Sequence, residues 1–204
     1  MYRDTSAWYH HVLTFDSTNA TQADRLKVYV NGERITSWSS ESVTSAIGAS
    51  EAFSFINEDG VVQAFGGLSG KGHGTVGADL QMAEIVFNDG QAYGPDSYGE
   101  TKNGVWIPKD PSGLTFGDNG YYLKMAAGAI GTDSSGNSNN FSVNNIAAHD
   151  VMLDSPTFNS DSNGGNWNTL NAVDLNSSDT SLTDGNLTLT TTAGQRSAFG
   201  TMGV

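Results

Sequence analysis

Aromatic side chains on predicted loops are the residues of this chain best suited to recognition chemistry. A sugar ring stacks on the flat face of an aromatic side chain while Asn, Asp and Gln side chains bond its hydroxyl groups. The aromatic residues predicted to form such a platform are Trp38, Tyr93, Tyr98, Trp106 and Trp167. Trp38 directly follows a predicted hairpin, which favours its display on a loop. The competing interpretation is that these aromatic side chains belong to a hydrophobic core.

A second candidate site is the polar segment from Asp133 to Asn140, which reads DSSGNSNN. Carboxylate, hydroxyl and amide oxygens are the ligands that calcium prefers, so calcium is the candidate cofactor. The predicted ligands are Asp133, Ser135, Asn137 and Asn139. The segment is not an EF-hand loop, because Gly136 stands at the fourth position instead of the sixth. The favoured alternative is structural, since Asp and Asn side chains also accept hydrogen bonds from backbone amides in Asx turns.

Catalytic chemistry is not predicted, and we expect that the protein is not an enzyme. A retaining glycosidase needs two carboxylates about 5 Å apart as nucleophile and acid. No segment of this chain carries two glutamates and an aspartate at the spacing of a glucanase strand, and Glu84 stands alone among apolar neighbours. His10 and His11 are adjacent, so in a strand they point to opposite faces and cannot hold one metal together. We expect one of them to be packed or hydrogen-bonded and the other exposed.

Composition and charge exclude several classes of partner. The 204 residues carry a net charge of -13 with only 9 Lys and Arg, so a phosphate backbone is repelled and nucleic acid is not an expected partner. There are 0 cysteines, which excludes disulfides and thiolate metal sites. No apolar run reaches the roughly 18 residues of a membrane span, so membrane insertion is not expected. With 25 glycines, the composition favours short strands joined by turns.

The N-terminal segment has the alternation of a β-hairpin. The predicted strands are Trp8 to Phe15, which reads WYHHVLTF, and Arg25 to Val30, which reads RLKVYV. Asn31 and Gly32 follow at once, and this pair suits the positive φ values of a tight turn. The residues that share one face of the second strand are Leu26, Val28 and Val30.

Other segments give weaker local predictions. Ala52 to Ile56 and Val61 to Phe65 are predicted as a hairpin with Asp59-Gly60 in its turn. Gly66 to Gly74 is predicted to form no regular element, because ordering glycine costs more backbone entropy than ordering other residues. Gly94 to Glu100 is a candidate for a single helical turn, since Pro and Asp favour such starts. Near the end of the chain, the predicted strand is Asp184 to Thr192.

The N-terminal strands resemble the laminin-G-like branch of the concanavalin A-like lectin/glucanase superfamily, in which an AWYH strand and a KVYVNG strand are neighbours. Those motifs stand here at residues 7–10 and 27–32. Residues 77–92 are similar to the last strand of that sandwich. The motifs that follow are similar to those of large structural proteins of marine bacteriophages, and they lie at residues 104–109, 119–125, 133–141 and 152–157. In such proteins the DSPT motif links the sandwich to a SPRY-like β-domain.

The resemblance implies an all-β fold, a concanavalin A-like jelly-roll sandwich with a partial second β unit. It predicts a laminin-G-like sandwich over residues 1–150, a linker over 151–180 and the beginning of a second β-domain over 181–204. A complete sandwich of this type has strands before the AWYH motif. We expect the missing strands in a longer polypeptide, or else from another chain by strand addition.

The resemblance also implies a function, that of a virion structural protein in a tail fibre, a head fibre or a capsid decoration. The expected location is the virion surface, and the expected partners are other virion proteins or copies of the same chain, with host-surface glycans as candidate ligands. Two alternatives stay open. One is a purely architectural assembly protein without a ligand, and the other is a secreted bacterial lectin-like adhesion module.

Overall fold

The computed structural model describes residues 7–38, 47–52, 56–57, 61–70, 73–77, 80–146, 150–151, 180–183 and 188–192. In this part of the chain the fold is broadly all-β, with short strands, two 3-10 turns and no α-helix. The all-β class predicted from the sequence is confirmed at this level. The same residues contain no helix that is long and apolar enough to span a bilayer.

The chain divides into two compact units. The first unit comprises Met1–Met82 and Val86–Tyr121, and the second comprises Ala83–Ile85 and Tyr122–Val204. The strands in chain order are β1 (His11–Phe15), β2 (Leu26–Val30), β3 (Glu33–Arg34), β4 (Gly67–Gly70), β5 (His73–Gly77), β6 (Ile85–Phe87), β7 (Gly99–Lys102), β8 (Val105–Pro108), β9 (Tyr121–Leu123), β10 (Thr180–Thr183) and β11 (Thr188–Thr191). The 3-10 turns are Gln22–Asp24 and Pro95–Ser97.

Strands β1, β2 and β3 form a three-stranded antiparallel sheet in the first unit. Strand β1 pairs with β2 so that Leu13 lies opposite Val28, which confirms the hairpin predicted from the alternation. Asn31 and Gly32 connect β2 to β3 with φ values of 50° and 82°. Two positive φ values are what a two-residue hairpin turn of type I′ requires, so the predicted turn is also confirmed.

The two faces of this sheet have different surroundings. Residues directly opposite each other in an antiparallel pair lie on the same face. On the inner face, Val12 and Thr14 are only 6% and 4% exposed, and the Thr14 hydroxyl donates a hydrogen bond to the backbone oxygen of Tyr93 over 2.7 Å. On the outer face Leu13 is 52% exposed. The outer face consists of His11, Leu13, Phe15, Leu26, Val28 and Val30. Of these, His11 and Leu13 are exposed, Phe15, Val28 and Val30 are half-buried, and Leu26 is buried.

The glycine-rich segment forms a hairpin, so the prediction that residues 66–74 lack regular structure is wrong. Strand β4 pairs with β5 in antiparallel fashion, with Gly67 opposite Gly77 and Leu68 opposite Val76. A ladder is made by backbone N–H and C=O groups, which glycine carries like any other residue. The register shifts between Leu68 and Gly70, and glycine within a strand often marks such an irregularity.

Two further predictions of strands are corrected. Val61 to Phe65 forms no strand, and Val62 is 75% exposed, so no partner covers it; residues 53–55 and 58–60 of the same prediction lie outside the described residues. The long strand predicted over residues 77–92 is reduced in its described part to the end of β5 and to β6. The positive φ of Glu84, 54°, interrupts an extended backbone immediately before β6.

Other local predictions hold. The predicted helical turn after Gly94 is confirmed as the 3-10 turn Pro95–Ser97, and Tyr98 closes it by donating its backbone N–H to the oxygen of Pro95. Strand β11 lies inside the strand predicted near the end of the chain and pairs with β10. Residues 152–179 of the linker predicted over 151–180 lie outside the described residues.

Buried apolar side chains are few among the described residues. They are Val12, Leu26, Phe116, Tyr121, Tyr122 and Leu123. In the first unit the Tyr121 ring lies 5.4 Å from the ring of Phe87 and 6.2 Å from that of Phe65, measured between centroids. Burial raises the pKa of the Tyr121 hydroxyl to about 12, so this side chain stays uncharged in the core.

Candidate functional site

Tyr93 and Tyr98 are brought together by the short turn between them. The intervening residues Gly94 to Ser97 reverse the chain, with Pro95 at the start of the 3-10 turn, where its fixed φ suits helical geometry. The two rings meet edge to face, with centroids 6.4 Å apart and planes at 83°. This geometry is favourable for aromatic pairs, because the positive ring edge meets the negative ring face.

Polar groups connect both tyrosines to two neighbouring segments. The Tyr98 hydroxyl donates to Asn88 Oδ1 over 2.7 Å, and Asn88 Nδ2 donates to the backbone oxygen of Thr115 over 2.8 Å. The backbone N–H of Thr115 donates to the Tyr93 hydroxyl over 3.3 Å. We call Asn88, Tyr93, Tyr98 and Thr115 the tyrosine cluster. It combines aromatic faces with an amide and hydroxyl groups, which is the chemistry that sugar recognition uses.

The tyrosine cluster is uncharged, and the residue that follows Asn88 in the chain is the acidic Asp89. Burial, and to a smaller extent Tyr93, raises the pKa of Tyr98 to about 12, so its hydroxyl remains a hydrogen-bond donor at neutral pH. The neighbouring residue Asp89 accepts hydrogen bonds from Asn57 Nδ2 over 2.9 Å and from the Asn119 backbone N–H over 3.3 Å. Both tyrosine residues are half-buried.

Trp106 occupies a different position from the tyrosine cluster. Its indole ring lies against Gly32 and Gly99, and a Cβ atom added to either glycine would lie 2.5 Å from a ring atom. Its Nε1–H donates to His10 Nδ1 over 3.1 Å, with ring centroids 5.9 Å apart. This side chain, predicted as a sugar platform, thus links β8 to the β1–β3 sheet. We call Trp106, His10, Gly32 and Gly99 the tryptophan clasp.

The two histidines behave as their positions in a strand predict. His10 is half-buried and accepts the hydrogen bond from Trp106, whereas His11 is exposed on the outer face. Burial lowers the pKa of His10, and the positive charge of a protonated His11 lowers it further. The groups that face His10 from β8 and from the Asn31-Gly32 turn are Trp106 and Asn31, which are both neutral.

The remaining predicted aromatic positions do not join either group. Trp38, four residues after the end of β3, is half-buried, so it is less exposed than the sequence suggested. Trp167 lies outside the described residues.

The predicted calcium segment is organised around one carboxylate. Asp133 Oδ1 accepts backbone N–H groups from Tyr122 and Ser135, both over 2.8 Å. Asp133 Oδ2 accepts the Ser135 hydroxyl over 2.8 Å and the Asn139 backbone N–H over 2.9 Å. The backbone N–H of Asn137 donates to the Ser135 hydroxyl over 3.2 Å. The four predicted ligands are therefore close together in the loop.

This geometry assigns the Asp133 carboxylate to the loop itself. A carboxylate has about four lone-pair sites, and four donors point at this one. Partial burial alone would raise its pKa, but the hydrogen bonds from Tyr122, Ser135 and Asn139 outweigh burial and lower it. Among the described residues no three His, Asp or Glu side chains lie close enough to hold a metal ion. Calcium binding stays a prediction that requires these donors to be displaced.

Sequence reasoning did not single out Asn88, Asp89 and Thr115. A usable signal was the Asn-Asp-Gly triplet at residues 88–90, which marks a turn directly after a strand, where binding residues often lie. Glu84, predicted as hydrogen-bonded or exposed, accepts the Tyr122 hydroxyl over 3.3 Å.

Comparison of the chain with family models, curated proteins and solved structures finds no match. Function is therefore argued from residues and geometry.

The tryptophan clasp predicts that Gly32→Ala destabilises the first unit more than Gly104→Ala. Both glycines hold the same position in an Asn-Gly turn, with φ values of 82° and 81°. The positive φ costs an alanine about 1 kcal/mol at either position. Only at Gly32 does the new methyl group meet the Trp106 ring, which adds about 1–3 kcal/mol of overpacking. Denaturant unfolding of the full chain measures the difference, and equal losses would contradict this packing.

The same clasp predicts a loss of stability on mild acidification. Because the folded pKa of His10 is lowered from its ordinary value of 6.5, the unfolded chain binds more protons as the pH falls through that value. The contribution of His10 to the free energy of unfolding is therefore complete above pH 6.5, the ordinary pKa of histidine. It declines as the pH falls, until the pH lies below the pKa of His10 in the folded chain. In His10→Gln the amide oxygen still accepts from Trp106 but does not titrate. Unfolding free energies between about pH 5 and pH 8 should lose this slope in His10→Gln. The exposed variant His11→Gln should keep the larger part of it, because burial, the main cause of the lowered pKa of His10, is unchanged there.

Proposed function

We propose that this chain is a structural component of a virion surface, as part of a tail fibre, a head fibre or a capsid decoration. The proposal includes a concanavalin A-like jelly-roll sandwich as the complete fold. It rests on the resemblance of the AWYH and KVYVNG motifs; the AWYH residues 7–10 directly precede β1, and β1 pairs with β2, which contains most of the KVYVNG motif. Location on the virion surface follows from the same resemblance.

The observation that carries an assembly role is the apolar outer face of the β1–β3 sheet. An antiparallel sheet that is wet on one side normally alternates apolar residues inward with polar residues outward. Here the inner face already packs through Val12 and Thr14, yet the outer face presents Leu13 beside Val28. An apolar surface that stays exposed in the single chain is typical of a contact with further protein.

Other exposed large apolar side chains lie outside the β1–β3 sheet. Among the described residues they are Ile56, Val62, Phe65, Leu80, Met82, Val105, Val143 and Ile146. Exposed apolar residues that are scattered singly need no explanation, so the proposal rests on Leu13, which lies opposite Val28 on one face of the sheet. Copies of this chain or other virion proteins are the partners that we propose.

Glycan binding is a second role, supported by the tyrosine cluster. Two of the four candidates in the described part of the chain, Tyr93 and Tyr98, are in ring contact, and the Asn88 amide is hydrogen-bonded to Tyr98. Half-buried aromatic residues beside an amide and hydroxyl groups have the chemistry that a sugar ring requires. Without a ligand, the chain would be purely architectural, and a free secreted chain with the same cluster would be a bacterial lectin-like adhesion module.

Imaging of the native assembly at side-chain resolution tests the structural role. A symmetric projection or shell on a virion would support it, whereas a free monomer or a cellular filament would overturn it in favour of the secreted module. In that assembly we expect Leu13 to be covered by a neighbouring chain. Leu13→Lys should weaken association about tenfold, since burial of a leucine side chain is worth about 1.5–3 kcal/mol. Sedimentation measures this, and Val62→Lys is the control at an exposed site off the sheet.

Glycan binding is tested on an array of bacterial surface glycans with three forms of the full chain. Tyr93→Ala should weaken binding several-fold to about tenfold, because an aromatic contact contributes on the order of 1 kcal/mol beyond burial. Trp38→Ala, at a half-buried aromatic outside the cluster, should bind like the unaltered chain. Melting curves confirm that both variants are folded. Loss of binding in Trp38→Ala alone would move the site away from the tyrosine cluster, and no binding by the unaltered chain would favour the architectural role.

A further inference from the structure

Three Asn-Gly pairs lie in the described part of the chain, and they differ in the hydrogen bonds and packing contacts that restrain them. They are Asn31-Gly32, Asn103-Gly104 and Asn119-Gly120. In such a pair the backbone nitrogen that follows the asparagine belongs to a residue without a side chain, so it can approach the asparagine amide carbon with little steric hindrance. The chemistry available to the three pairs is therefore the same, and only their surroundings differ.

The pair Asn103-Gly104 is unrestrained. It connects β7 to β8 as a two-residue turn, with Lys102 opposite Val105 and φ values of 54° and 81°. Both residues are exposed, and no atom lies within 4 Å of a Cβ placed on Gly104. The Asn103 side chain makes no hydrogen bond to any described residue.

The pair Asn31-Gly32 is a matched comparison, because it forms the same kind of turn between β2 and β3. Here Asn31 Oδ1 accepts the backbone N–H of His10 over 2.8 Å, which fixes the side-chain amide. Gly32 lies against the Trp106 ring, which restricts movement of its backbone nitrogen.

The pair Asn119-Gly120 is also restrained. The Asn119 backbone N–H donates to Asp89 Oδ2 over 3.3 Å, and Gly120 is buried against the backbone of Phe116.

We propose that Asn103 is a site of spontaneous deamidation, selected among these pairs by its lack of restraint. The Gly104 backbone nitrogen attacks Asn103 Cγ, a C–N bond forms, and the Cγ–Nδ2 bond breaks. Ammonia leaves and takes up the proton that the Gly104 nitrogen loses, which gives a five-membered succinimide. Water, the co-reactant, then opens the ring at either carbonyl, so Asn103 becomes aspartate or isoaspartate.

The expected selectivity follows from the restraint at Asn31. Attack requires the turn to open and the side-chain amide to rotate, so at Asn31 the hydrogen bond to His10 and the packing of Gly32 on Trp106 must be given up first. A hydrogen bond contributes a net of roughly 1 kcal/mol, and a barrier difference of about 1.4 kcal/mol changes a rate about tenfold. Asn103 should therefore react at least about tenfold faster than Asn31.

The products change the hairpin that carries Trp106. Either product places a new negative charge at the exposed turn next to Lys102. Isoaspartate also lengthens the backbone by one methylene group, which a two-residue turn between paired strands cannot absorb without a change of register. Modification at Asn103 thus loosens the β7–β8 pair at the end nearest to Trp106, which lies opposite Thr101 in the second pair from the turn.

Incubation of the full folded chain at mildly alkaline pH, followed by peptide mapping with mass spectrometry, tests the proposal. The expected result is conversion of Asn103 with Asn31 and Asn119 almost unchanged. In urea all three described pairs should convert at similar rates, which shows that the fold and not the local sequence selects the site. The peptide containing Asn163-Gly164 is quantified separately.

The variant Gly104→Ala is the matched control, because its methyl group hinders the attacking nitrogen at one site only. It should slow conversion at Asn103 and leave that at Asn31 unaltered. Equal rates at Asn103 and Asn31 in the folded chain would overturn the proposal. The absence of conversion at Asn103, over a period in which the urea-unfolded chain reacts, would overturn it as well.

Discussion

The packing of one indole ring on two glycines organises the first unit. Trp106 lies where a side chain on Gly32 or Gly99 would otherwise be, and its Nε1–H is hydrogen-bonded to His10. Gly32 belongs to the turn between β2 and β3, and Gly99 begins β7, so a single side chain joins the sheet to the hairpin that bears it. Any residue larger than glycine at either position would meet the ring, which explains why a turn and a strand end both use glycine.

The clasp also decides which face of the sheet is inner. His10, which directly precedes β1, bonds to Trp106, and Thr14 within β1 bonds to the Tyr93 backbone, so the alternate positions 10, 12 and 14 lie on that side. The apolar stripe of β2 consequently lies on the outer face, together with Leu13. On this face Leu26 is already buried within the chain, whereas Leu13 is 52% exposed. The exposed Leu13 is the physical ground for the proposed assembly role, and it is independent of the resemblance to bacteriophage structural proteins.

In the described part of the chain, polar side chains mostly form hydrogen bonds to backbone groups of the loops. Asp133 collects four donors from the backbone and hydroxyl groups around it, and Asp89 and Asn88 tie together segments that have no strand partner there. Long connections between short strands leave many backbone groups without a ladder partner, and short polar side chains satisfy them. The Asp- and Asn-rich composition therefore has a structural explanation before any ligand is considered. In the tyrosine cluster, aromatic rings lie next to such a polar side chain, that of Asn88.

Sequence alone determined the features that depend on near neighbours. The alternation in β1 and β2, the Asn31-Gly32 turn and the turn after Gly94 all follow from residue types a few positions apart. It also determined that His10 and His11 point to opposite faces. Glycine content misled the prediction for β4 and β5, because pairing depends on backbone groups and not on side chains.

Only the tertiary structure decided which of these residues meet. Trp106 bonds to His10 across 96 positions, and Thr14 bonds to Tyr93 across 79. Such contacts separated a structural tryptophan from the pair Tyr93 and Tyr98, although the sequence placed all three in one set of candidates. Local sequence biases the backbone of each segment, but the partner that buries a side chain is chosen by packing among segments far apart in the chain, and no short-range pattern records that choice.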